Sequence, residues 1–420
     1  MDDSKEDWLS SSKAFDFDRS RAYWRFAPSG QGKHDTAEWS RLADHQLERM
    51  WQAAFVSRFL QYPEEDCFAQ EMTESLSGKR VLSVGSGLGF HELLYQHHGA
   101  LVTCHDIVQS NLDIIRRVAS IKRLPRIDTK LVSSGSTPSF DGLYDVGFVY
   151  GSLMTMPSDH QRQLIAAIKN ALRPDGKIIL MLYTWKFVES TCCWKSFDDF
   201  DPVVFARASD PSVGEEHCPW SDWHDDAKLL NLAGSDMRIA SKQFWQHGLF
   251  VWYALEFGAR ADSVSAFFSP EQTLQGDLVA RVAASDFQTA AATLKTERDG
   301  VRVETGRQAF AYALMSPVYG RSAFPSAPNA IRISATLLAG GFSVGILDTA
   351  AQKFVSTAAI TDIGRHDFIL PLADLSSNCQ IVFSNHRPEA ESSAFLLHKA
   401  EFIKRPSVVM DTLLTPSSVS

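Results

Sequence analysis

Residues 79–90 read Lys-Arg-Val-Leu-Ser-Val-Gly-Ser-Gly-Leu-Gly-Phe, and this stretch decides the fold. The apolar run from Val81 to Val84 predicts a buried β-strand. Three glycines follow at alternate positions, and they predict a tight turn that another group approaches closely. A helical pattern comes next, and the first N–H groups of a helix are free to bind a polar ligand. The stretch therefore predicts a strand, a glycine loop and a helix N-terminus in succession.

A second predicted strand ends in an acid. Residues 100–105 form this strand, and Asp106 follows it, 21 residues after Gly85. In a βαβ unit, an acid at this point lies beside the glycine loop, where it can accept hydrogen bonds from ribose hydroxyls. Residues 81–106 thus predict a nucleoside-binding βαβ unit.

The glycine spacing narrows the choice of ligand. The dinucleotide fingerprint is G-x-G-x-x-G, whereas here the third glycine comes one position earlier and the bulky Phe90 follows it, which opposes a dehydrogenase. The spacing, together with Asp106, resembles motif I of the class I S-adenosylmethionine-dependent methyltransferases. The resemblance implies S-adenosylmethionine as the cofactor, with its ribose on Asp106. It also implies that four loop residues hold this cofactor: Gly85, Ser86, Gly87 and Gly89.

Segments further along the chain resemble the same family in the same order. Residues 144–153 are similar to its fourth-strand motif, and residues 160–172 have a helical apolar pattern. Residues 172–181 contain the turn signal Pro-Asp-Gly and are similar to the family's helix end, turn and fifth strand. The resemblance covers roughly residues 76–184 and implies a Rossmann-like, doubly wound α/β sheet, with Tyr150 at the cofactor site.

The chain departs from the family pattern at two positions. Ser83 stands where the family carries an acid that helps to orient the methionine end of the cofactor. Residues 131–135 lack the usual acid near the adenine, so Ser134 and Gly135 are the residues that the resemblance places there. Because serines still form hydrogen bonds, we expect the cofactor to bind. The departures also leave open a scaffold that binds the cofactor without turnover.

Composition bounds the class of protein. The chain has 420 residues, of which 45% are hydrophobic and 22% charged, and this balance is typical of globular proteins with two or three domains. A net charge of -9 without a basic stripe opposes nucleic acid as a partner. No apolar run predicts a membrane span, and the polar N-terminus opposes a secretory signal. Six cysteines without a C-x-x-C pair indicate reduced thiols, so we expect a cytoplasmic protein.

We divide the sequence into five regions. A helical N-terminal lid region covers 1–75 and includes one long amphipathic helix at 36–61, whose alternative interpretation is a plain cover for the core. The methyltransferase domain covers 76–260, with a substrate-loop insertion. A linker at 261–297 then leads to a β-sandwich at 298–405, and a flexible tail follows at 406–420.

Residues 215–226 form the predicted acceptor loop, which is dense in groups that bind or take a proton. Methyl transfer to a hydroxyl benefits from a general base, and His217 and His224 are our candidates for it. The same loop could in principle hold Mg²⁺ through its histidines and acids, but its spacing matches no closed ligand motif. Asp225 and Asp226 precede a helical pattern, so a helix N-cap explains them and we predict no metal site.

The C-terminal third predicts an all-β domain. Eight alternating segments between residues 301 and 403 recur at the spacing typical of a β-sandwich, and Gly340-Gly341 predicts a hairpin between two of them. Residues 341–348 and 384–386 resemble jelly-roll modules appended to some bacterial saccharide-processing enzymes. That resemblance implies a sugar-binding module, while a structural or homo-oligomerisation domain stays open as an alternative.

The sequence as a whole predicts a methyltransferase for a small-molecule substrate. The appended sandwich favours O-methylation of a saccharide or a saccharide-bearing molecule. The alternative is C- or N-methylation of an aromatic or lipid-like acceptor. It is suggested by six tryptophans, which core packing would explain equally: Trp185, Trp194, Trp220, Trp223, Trp245 and Trp252.

Overall fold

The structure is a computed structural model. It describes residues 16–28, 35–61, 63–133, 139–191, 197, 200–209, 218–259, 264–269, 272, 274–308, 310–372, 378–386 and 391–405. The described chain divides into two compact units. One unit contains the described parts of 16–55 and 68–267, and the other contains those of 56–67 and 268–405. In the described part of the chain, no helix combines the length and the apolar character that crossing a membrane requires.

The first unit is built on a seven-stranded sheet. Its order is β3-β2-β1-β4-β5-β7-β6, with parallel pairing from β3 to β5 and antiparallel pairing of β7 with both β5 and β6. The strands are β1 (Arg80–Val84), β2 (Leu101–Asp106), β3 (Asp128–Leu131), β4 (Tyr144–Tyr150), β5 (Leu172–Tyr183), β6 (Met237–Trp245) and β7 (Phe250–Phe257). This confirms the predicted Rossmann-like sheet. The strand order reverses between β1 and β4, where ligands bind in sheets of this type.

The described residues also form ten α-helices. They are α1 (Phe17–Phe26), α2 (Thr36–Trp39), α3 (Asp44–Gln61), α4 (Pro63–Leu76), α5 (Phe90–His97), α6 (Gln109–Ile121), α7 (Ser158–Ala171), α8 (Trp185–Thr191), α9 (Pro202–Ser209) and α10 (Asp226–Ala233). Helices α5, α6 and α7 each connect two parallel strands, as a doubly wound sheet requires.

The single long helix predicted at 36–61 is wrong, because the chain breaks between α2 and α3. The guanidinium of Arg117 in α6 donates hydrogen bonds to the carbonyl oxygens of Ser40 and Leu42, each at 2.7 Å. Those carbonyls are therefore bound by a side chain of another element, and a continuous helix would have used them itself.

The predicted turn after α7 is a bulge within β5. Leu172 pairs with Tyr144 and Lys177 pairs with Val146, so four residues of β5 lie outside the register of β4. Pro174, which has no N–H group to donate to a strand ladder, falls in this interruption. The strand signal and the turn signal were both correct, and the sheet accommodates both.

The second unit contains two antiparallel sheets with a common apolar core. One sheet has the order β10-β11-β18-β13-β16 with β8 also paired to β18, and the other has the order β15-β14-β17-β12-β9. The strands are β8 (Asp277–Val282), β9 (Gln288–Thr289), β10 (Ala292–Glu297), β11 (Gly300–Thr305), β12 (Tyr312–Met315), β13 (Ala330–Ala339), β14 (Phe342–Asp348), β15 (Lys353–Ile360), β16 (Gly364–Pro371), β17 (Cys379–Asn385) and β18 (Ala394–Lys404). All eight predicted strands are present, which confirms the β-sandwich.

Two details of this unit correct the sequence predictions. Strands β8, β9 and β10 lie in the segment that we assigned to a linker, and they extend the two sheets. Gly340-Gly341 does not join a hairpin, because β13 and β14 belong to different sheets. Gly340 has a φ of 76°, and a Cβ there would collide with the side chain of Ser393. The glycines are thus used for a tight passage from one sheet to the other.

Candidate active site

The glycine loop lies between β1 and α5, at the carboxyl end of the sheet. Gly85, Gly87 and Gly89 have φ values of 76°, 52° and 70°, which L-residues with side chains rarely adopt. A Cβ at position 89 would lie 2.6 Å from the side chain of Ile115, and one at 87 would collide with the carbonyl oxygen of Pro28. The glycines form the predicted tight turn. The groups that approach them closely belong to the protein itself, among them Pro28 and Ile115.

The N-terminal region contacts this loop. Besides Pro28, which follows α1, the indole Nε1 of Trp51 in α3 donates a hydrogen bond to the carbonyl oxygen of Leu88 at 2.8 Å. Thr36 of α2 and Ser110 of α6 share a hydroxyl hydrogen bond of 2.7 Å. The N-terminal segment therefore packs on the outside of the glycine loop, whereas its action as a lid stays a prediction.

Asp106 is buried beside the loop with only 5% of its surface exposed. One carboxylate oxygen accepts a hydrogen bond from the N–H of Gly87 at 2.8 Å, and the other accepts one from the N–H of Val108 at 2.8 Å. The amide of Asn111 donates to the second oxygen at 3.3 Å. Burial raises the pKa of Asp106 to about 6, although the backbone hydrogen bonds work against that rise. Each oxygen has two acceptor positions, so the carboxylate can still accept from a ligand.

A second buried acid, Glu92 in α5, lies beneath the loop. The hydroxyl of Ser83 donates to Glu92 Oε1 at 2.6 Å, and the hydroxyl of Ser86 donates to Ser83 Oγ at 3.1 Å. Burial raises the pKa of Glu92 to about 7, and the nearby Asp106 adds to the rise. The sequence has a serine at position 83, where the resemblance implies an acid. In the structure, Glu92, nine residues further along, supplies a carboxylate to that serine.

Tyr150 closes β4 beside this cluster. Its ring lies 4.3 Å from the ring of His91, centroid to centroid, and 5.8 Å from that of Phe148. Two residues later, the hydroxyl of Ser152 donates to the carbonyl oxygen of Val84, the last residue of β1, at 2.9 Å. The ends of β1 and β4 are thus tied together at the point where the strand order reverses.

Three predicted site residues cannot be placed. Ser134 and Gly135, assigned to the adenine, and His217, a predicted base, lie outside the described residues. Their roles stay predictions.

His224 is 2% exposed and belongs to a buried polar cluster. Its Nε2 and Gln161 Oε1 of α7 are 2.8 Å apart, so Nε2 carries the proton and Nδ1 keeps a lone pair. Burial, together with the charge of Lys228, lowers the pKa of His224 to about 3, although the charge of Asp222 opposes this change. Lys228 also forms an ion pair of 2.6 Å with the buried Asp222. His224 is therefore a neutral imidazole held in place by α7.

The acids that follow His224 begin a helix. Asp225 is the N-cap of α10, and its carboxylate accepts a hydrogen bond from the N–H of Lys228 at 2.8 Å. This confirms the capping interpretation. Asp226 in the first turn accepts from Lys242 Nζ at 2.6 Å and from the Tyr253 hydroxyl at 2.8 Å. Among the described residues, no group of three or more His, Cys, Asp or Glu side chains is arranged to hold a metal ion.

Aromatic rings gather near the end of β5. The ring of Trp223 lies 5.2 Å from that of Trp185 and is stacked at 4.9 Å on Phe197, which is exposed. Trp185 and Trp223 are half-buried. Of the other four tryptophans that suggested an aromatic acceptor, Trp194 lies outside the described residues. The remaining three are buried in the core: Trp220, Trp245 and Trp252.

Sequence reasoning missed Glu92 and Asn111. Glu92 follows the last loop glycine by three residues and stands alone among apolar and aromatic neighbours in α5, which was the available signal. Asn111 lies five residues after Asp106 and binds its carboxylate, but nothing in the sequence distinguished it from other polar residues of α6.

Comparison with known proteins identifies the same region. Residues 81–176 match the family model described as "Methyltransferase domain". No curated protein matches the chain. The CcbJ methyltransferase from Streptomyces caelestis is similar in structure, with 14% identity over 46% of this chain and 90% of that chain and a TM-score of 0.37. An S-adenosylmethionine-dependent methyltransferase from Clostridium acetobutylicum is similar over 46% of this chain and 91% of that chain, with 12% identity and a TM-score of 0.37.

The glycopeptide N-methyltransferase MtfA is also similar, with 15% identity over 46% of this chain and 90% of that chain and a TM-score of 0.34. Structural likeness at this level carries no conclusion about activity. The family match, however, spans the glycine loop, Asp106 and the end of β4, on a sheet with the expected strand order. Residues 81–176 are therefore similar to a methyltransferase domain, and the described sheet has the strand order that this similarity implies.

Proposed function

We propose that this protein transfers a methyl group from S-adenosylmethionine to a hydroxyl oxygen of a saccharide or a saccharide-bearing small molecule, in the cytoplasm. The observation that carries the cofactor assignment is the buried Asp106 carboxylate bound to the N–H of Gly87 in the glycine loop. This contact holds a carboxylate directly beside three loop glycines, which supports its role as an acceptor for ribose hydroxyls.

Different residues around the loop bind different parts of the cofactor. Asp106 receives the ribose hydroxyls, the loop from Gly85 to Gly89 lies along the methionine part, and Tyr150 borders the reaction side. Ser134 and Gly135 are assigned to the adenine. When bound, the cofactor supplies an electrophilic methyl group on a sulfonium sulfur.

The protein's contribution to methyl transfer is chiefly orientation, because an in-line displacement needs the acceptor oxygen opposite the leaving sulfur. The acceptor hydroxyl must also lose its proton to a base. His224, with its pKa near 3, is a weak base at neutral pH, so we favour His217 for this step and assign His224 to positioning the loop.

The saccharide assignment is supported by the outer face of the sandwich. Ser343 of β14 and Ser384 of β17 share a hydroxyl hydrogen bond of 2.7 Å, and Tyr312 of β12 pairs with Ser384 in the same row. The exposed rings of Tyr312 and Phe354 are 6.2 Å apart, centroid to centroid. Exposed rings beside hydroxyl groups suit the apolar faces and the hydroxyls of sugars.

The second candidate function is methylation of an aromatic acceptor at carbon or nitrogen. The half-buried Trp185 and Trp223 and the exposed Phe197 favour it, because the accessible faces of such a ring cluster can stack on a planar molecule. Transfer of labelled methyl groups to a panel of sugars and a matched panel of catechols and indoles separates the two. Labelling of the aromatic panel alone would overturn the saccharide assignment.

Calorimetric titration with S-adenosylhomocysteine tests the cofactor site. We expect micromolar binding by the wild type and roughly 10- to 100-fold weaker binding by Asp106→Ala, since the remaining acceptor position of a charged group is lost. Asp128→Ala, an exposed acid at the opposite end of the sheet, is the control and should bind like the wild type.

Two results would count against this assignment. Undiminished binding by Asp106→Ala would remove the ribose role from that residue. Tight binding without methyl transfer to any acceptor would favour a scaffold that holds the cofactor without turnover.

A further inference from the structure

Two serine hydroxyls connect the glycine loop to a buried carboxylate. Ser86 lies in the loop, Ser83 lies near the end of β1, and Glu92 lies in the first turn of α5, and all three are buried. Ser86 donates to Ser83 at 3.1 Å, and Ser83 donates to Glu92 at 2.6 Å. The three side chains form one chain of hydrogen bonds that begins at the loop and ends beneath it.

The ionised form of Glu92 dictates the direction of this chain. A carboxylate can only accept, so the single hydroxyl proton of Ser83 points to Glu92, and that of Ser86 points to Ser83. The oxygen of Ser86 keeps two lone pairs, of which the neighbouring Cys104 thiol of β2 can use one, and a hydroxyl that donates toward a charged group becomes a better acceptor. One acceptor position of Ser86 is then left for a ligand of the loop.

Glu92 and Asp106 have no cationic partner in the part of the chain that the structure describes. Neither carboxylate forms an ion pair with any described lysine or arginine, and each is nearly inaccessible to water. A buried carboxylate without a counter-charge is costly, and a bound cation offsets that cost. The cofactor of the proposed function carries an ammonium group at its methionine end.

We propose that Glu92 is a positioning residue which, through Ser83, holds the Ser86 hydroxyl as an acceptor for the ammonium group of the cofactor. This inference rests on the proposed function. It also accounts for Ser83, which stands where the family resemblance implies an acid. The carboxylate is supplied from α5 instead and acts one hydrogen bond further away.

Titration with two ligands tests the role of Glu92. S-Adenosylhomocysteine contains the ammonium group, whereas 5′-methylthioadenosine has the same nucleoside without the amino-acid end. We expect Glu92→Gln and Ser83→Ala each to weaken binding of S-adenosylhomocysteine about tenfold, and to change binding of methylthioadenosine less than about twofold. The exposed Glu74→Gln is the matched control for loss of one negative charge.

A rescue variant separates positioning from mere support of the fold. Ser83→Asp combined with Glu92→Gln moves the carboxylate from the helix to the strand, and we expect it to restore most of the affinity for S-adenosylhomocysteine. Circular dichroism confirms that each variant is folded. Should Glu92→Gln fail to fold, Ser83→Ala carries the test, because it keeps the carboxylate and breaks the chain.

Three outcomes would overturn the proposal. Equal weakening of both ligands by Glu92→Gln and Ser83→Ala would make their role structural, and no weakening of either would leave Glu92 without a role in binding. Failure of the wild type to bind either ligand would instead remove the proposed function, and this inference with it. Binding of methylthioadenosine by all variants therefore distinguishes the two kinds of failure.

Discussion

Glu92 in the first unit and Glu401 in the sandwich are both buried, with 4% and 3% of their surface exposed, yet they have opposite surroundings. Glu401 accepts hydrogen bonds from Arg332 at 2.6 and 2.9 Å and from Arg281 at 3.0 Å. Glu92 accepts hydrogen bonds from the hydroxyl of Ser83 and from its own backbone N–H, which are both neutral donors. Among the described residues, arginines thus neutralise Glu401, whereas no lysine or arginine forms an ion pair with Glu92.

The pKa shifts follow from this difference. Burial raises the pKa of Glu92 to about 7, with only hydrogen bonds opposing it. For Glu401, burial also acts to raise the pKa, but the hydrogen bonds and charge of Arg332 outweigh it and the pKa falls below its ordinary value. A buried acid that the chain itself neutralises is part of the structure, whereas one that it does not neutralise is available to a ligand.

The largest effect that tests this contrast between Glu92 and Glu401 is expected from Glu401→Gln. The substitution leaves Arg332 without its counter-charge in a partly buried position, and we expect the free energy of unfolding of the sandwich to fall by about 3 to 5 kcal/mol. Urea unfolding followed by circular dichroism measures the loss. Glu304→Gln removes an exposed acid from the same sheet and should cost less than about 1 kcal/mol.

Equal effects of these two substitutions would contradict the comparison, because the buried ion pair would then add nothing. Binding of S-adenosylhomocysteine, measured below the unfolding transition, should be unchanged in both variants.

Glu92→Gln should raise the free energy of unfolding, in contrast to Glu401→Gln. Since the pKa of Glu92 is about 7 in the folded protein and near 4.5 when unfolded, the folded state retains a proton that the unfolded chain has lost. The wild type therefore loses stability as the pH rises from about 4.5 to 7, and glutamine does not. In cofactor-free protein, the variant should gain up to about 3 kcal/mol over the wild type across this window.

The groups that titrate close to Glu92 complicate the size of this gain but not its sign. Asp106 of β2 has a pKa raised by burial to about 6, and Cys104 of the same strand has one raised by burial well above its ordinary value. Both groups are present in the wild type and in the variant. Their contributions to the free energy of unfolding therefore largely cancel when the two proteins are compared at the same pH. A difference that does not change with pH would show that Glu92 does not titrate in this range.

The sequence predicted the positions of the strands better than it predicted how the strands pair. Alternation located eight sandwich strands, but it does not say which strand pairs with which, so Gly340-Gly341 was taken for a hairpin although its strands belong to different sheets. Residues 277–282 were missed because their side chains do not alternate cleanly between apolar and polar. Strand periodicity is local, whereas pairing depends on the whole fold.

The candidate site shows the same limit. The glycine loop and Asp106 were predictable because one short βαβ unit brings them together. The partner of Ser83 was not predictable, since only the packing of α5 on the sheet brings Glu92 to it. His224 was taken for a base, and its burial against Gln161, 63 residues earlier, is visible only in the structure.

The smallest expected effect comes from comparing the two arginines that pair with Glu401, because they differ in solvent exposure. The side chain of Arg281 is 73% exposed, whereas that of Arg332 is 21% exposed and donates two hydrogen bonds to one carboxylate oxygen. Water and salt screen the exposed pair, so Arg281→Gln should cost less than about 1 kcal/mol of unfolding free energy, and less still in 1 M salt. Arg332→Gln should cost several times more at either salt concentration. If the two arginines cost the same, the neutralisation of Glu401 would depend on total charge near the carboxylate rather than on a buried, two-bonded partner, and the contrast with Glu92 would weaken accordingly.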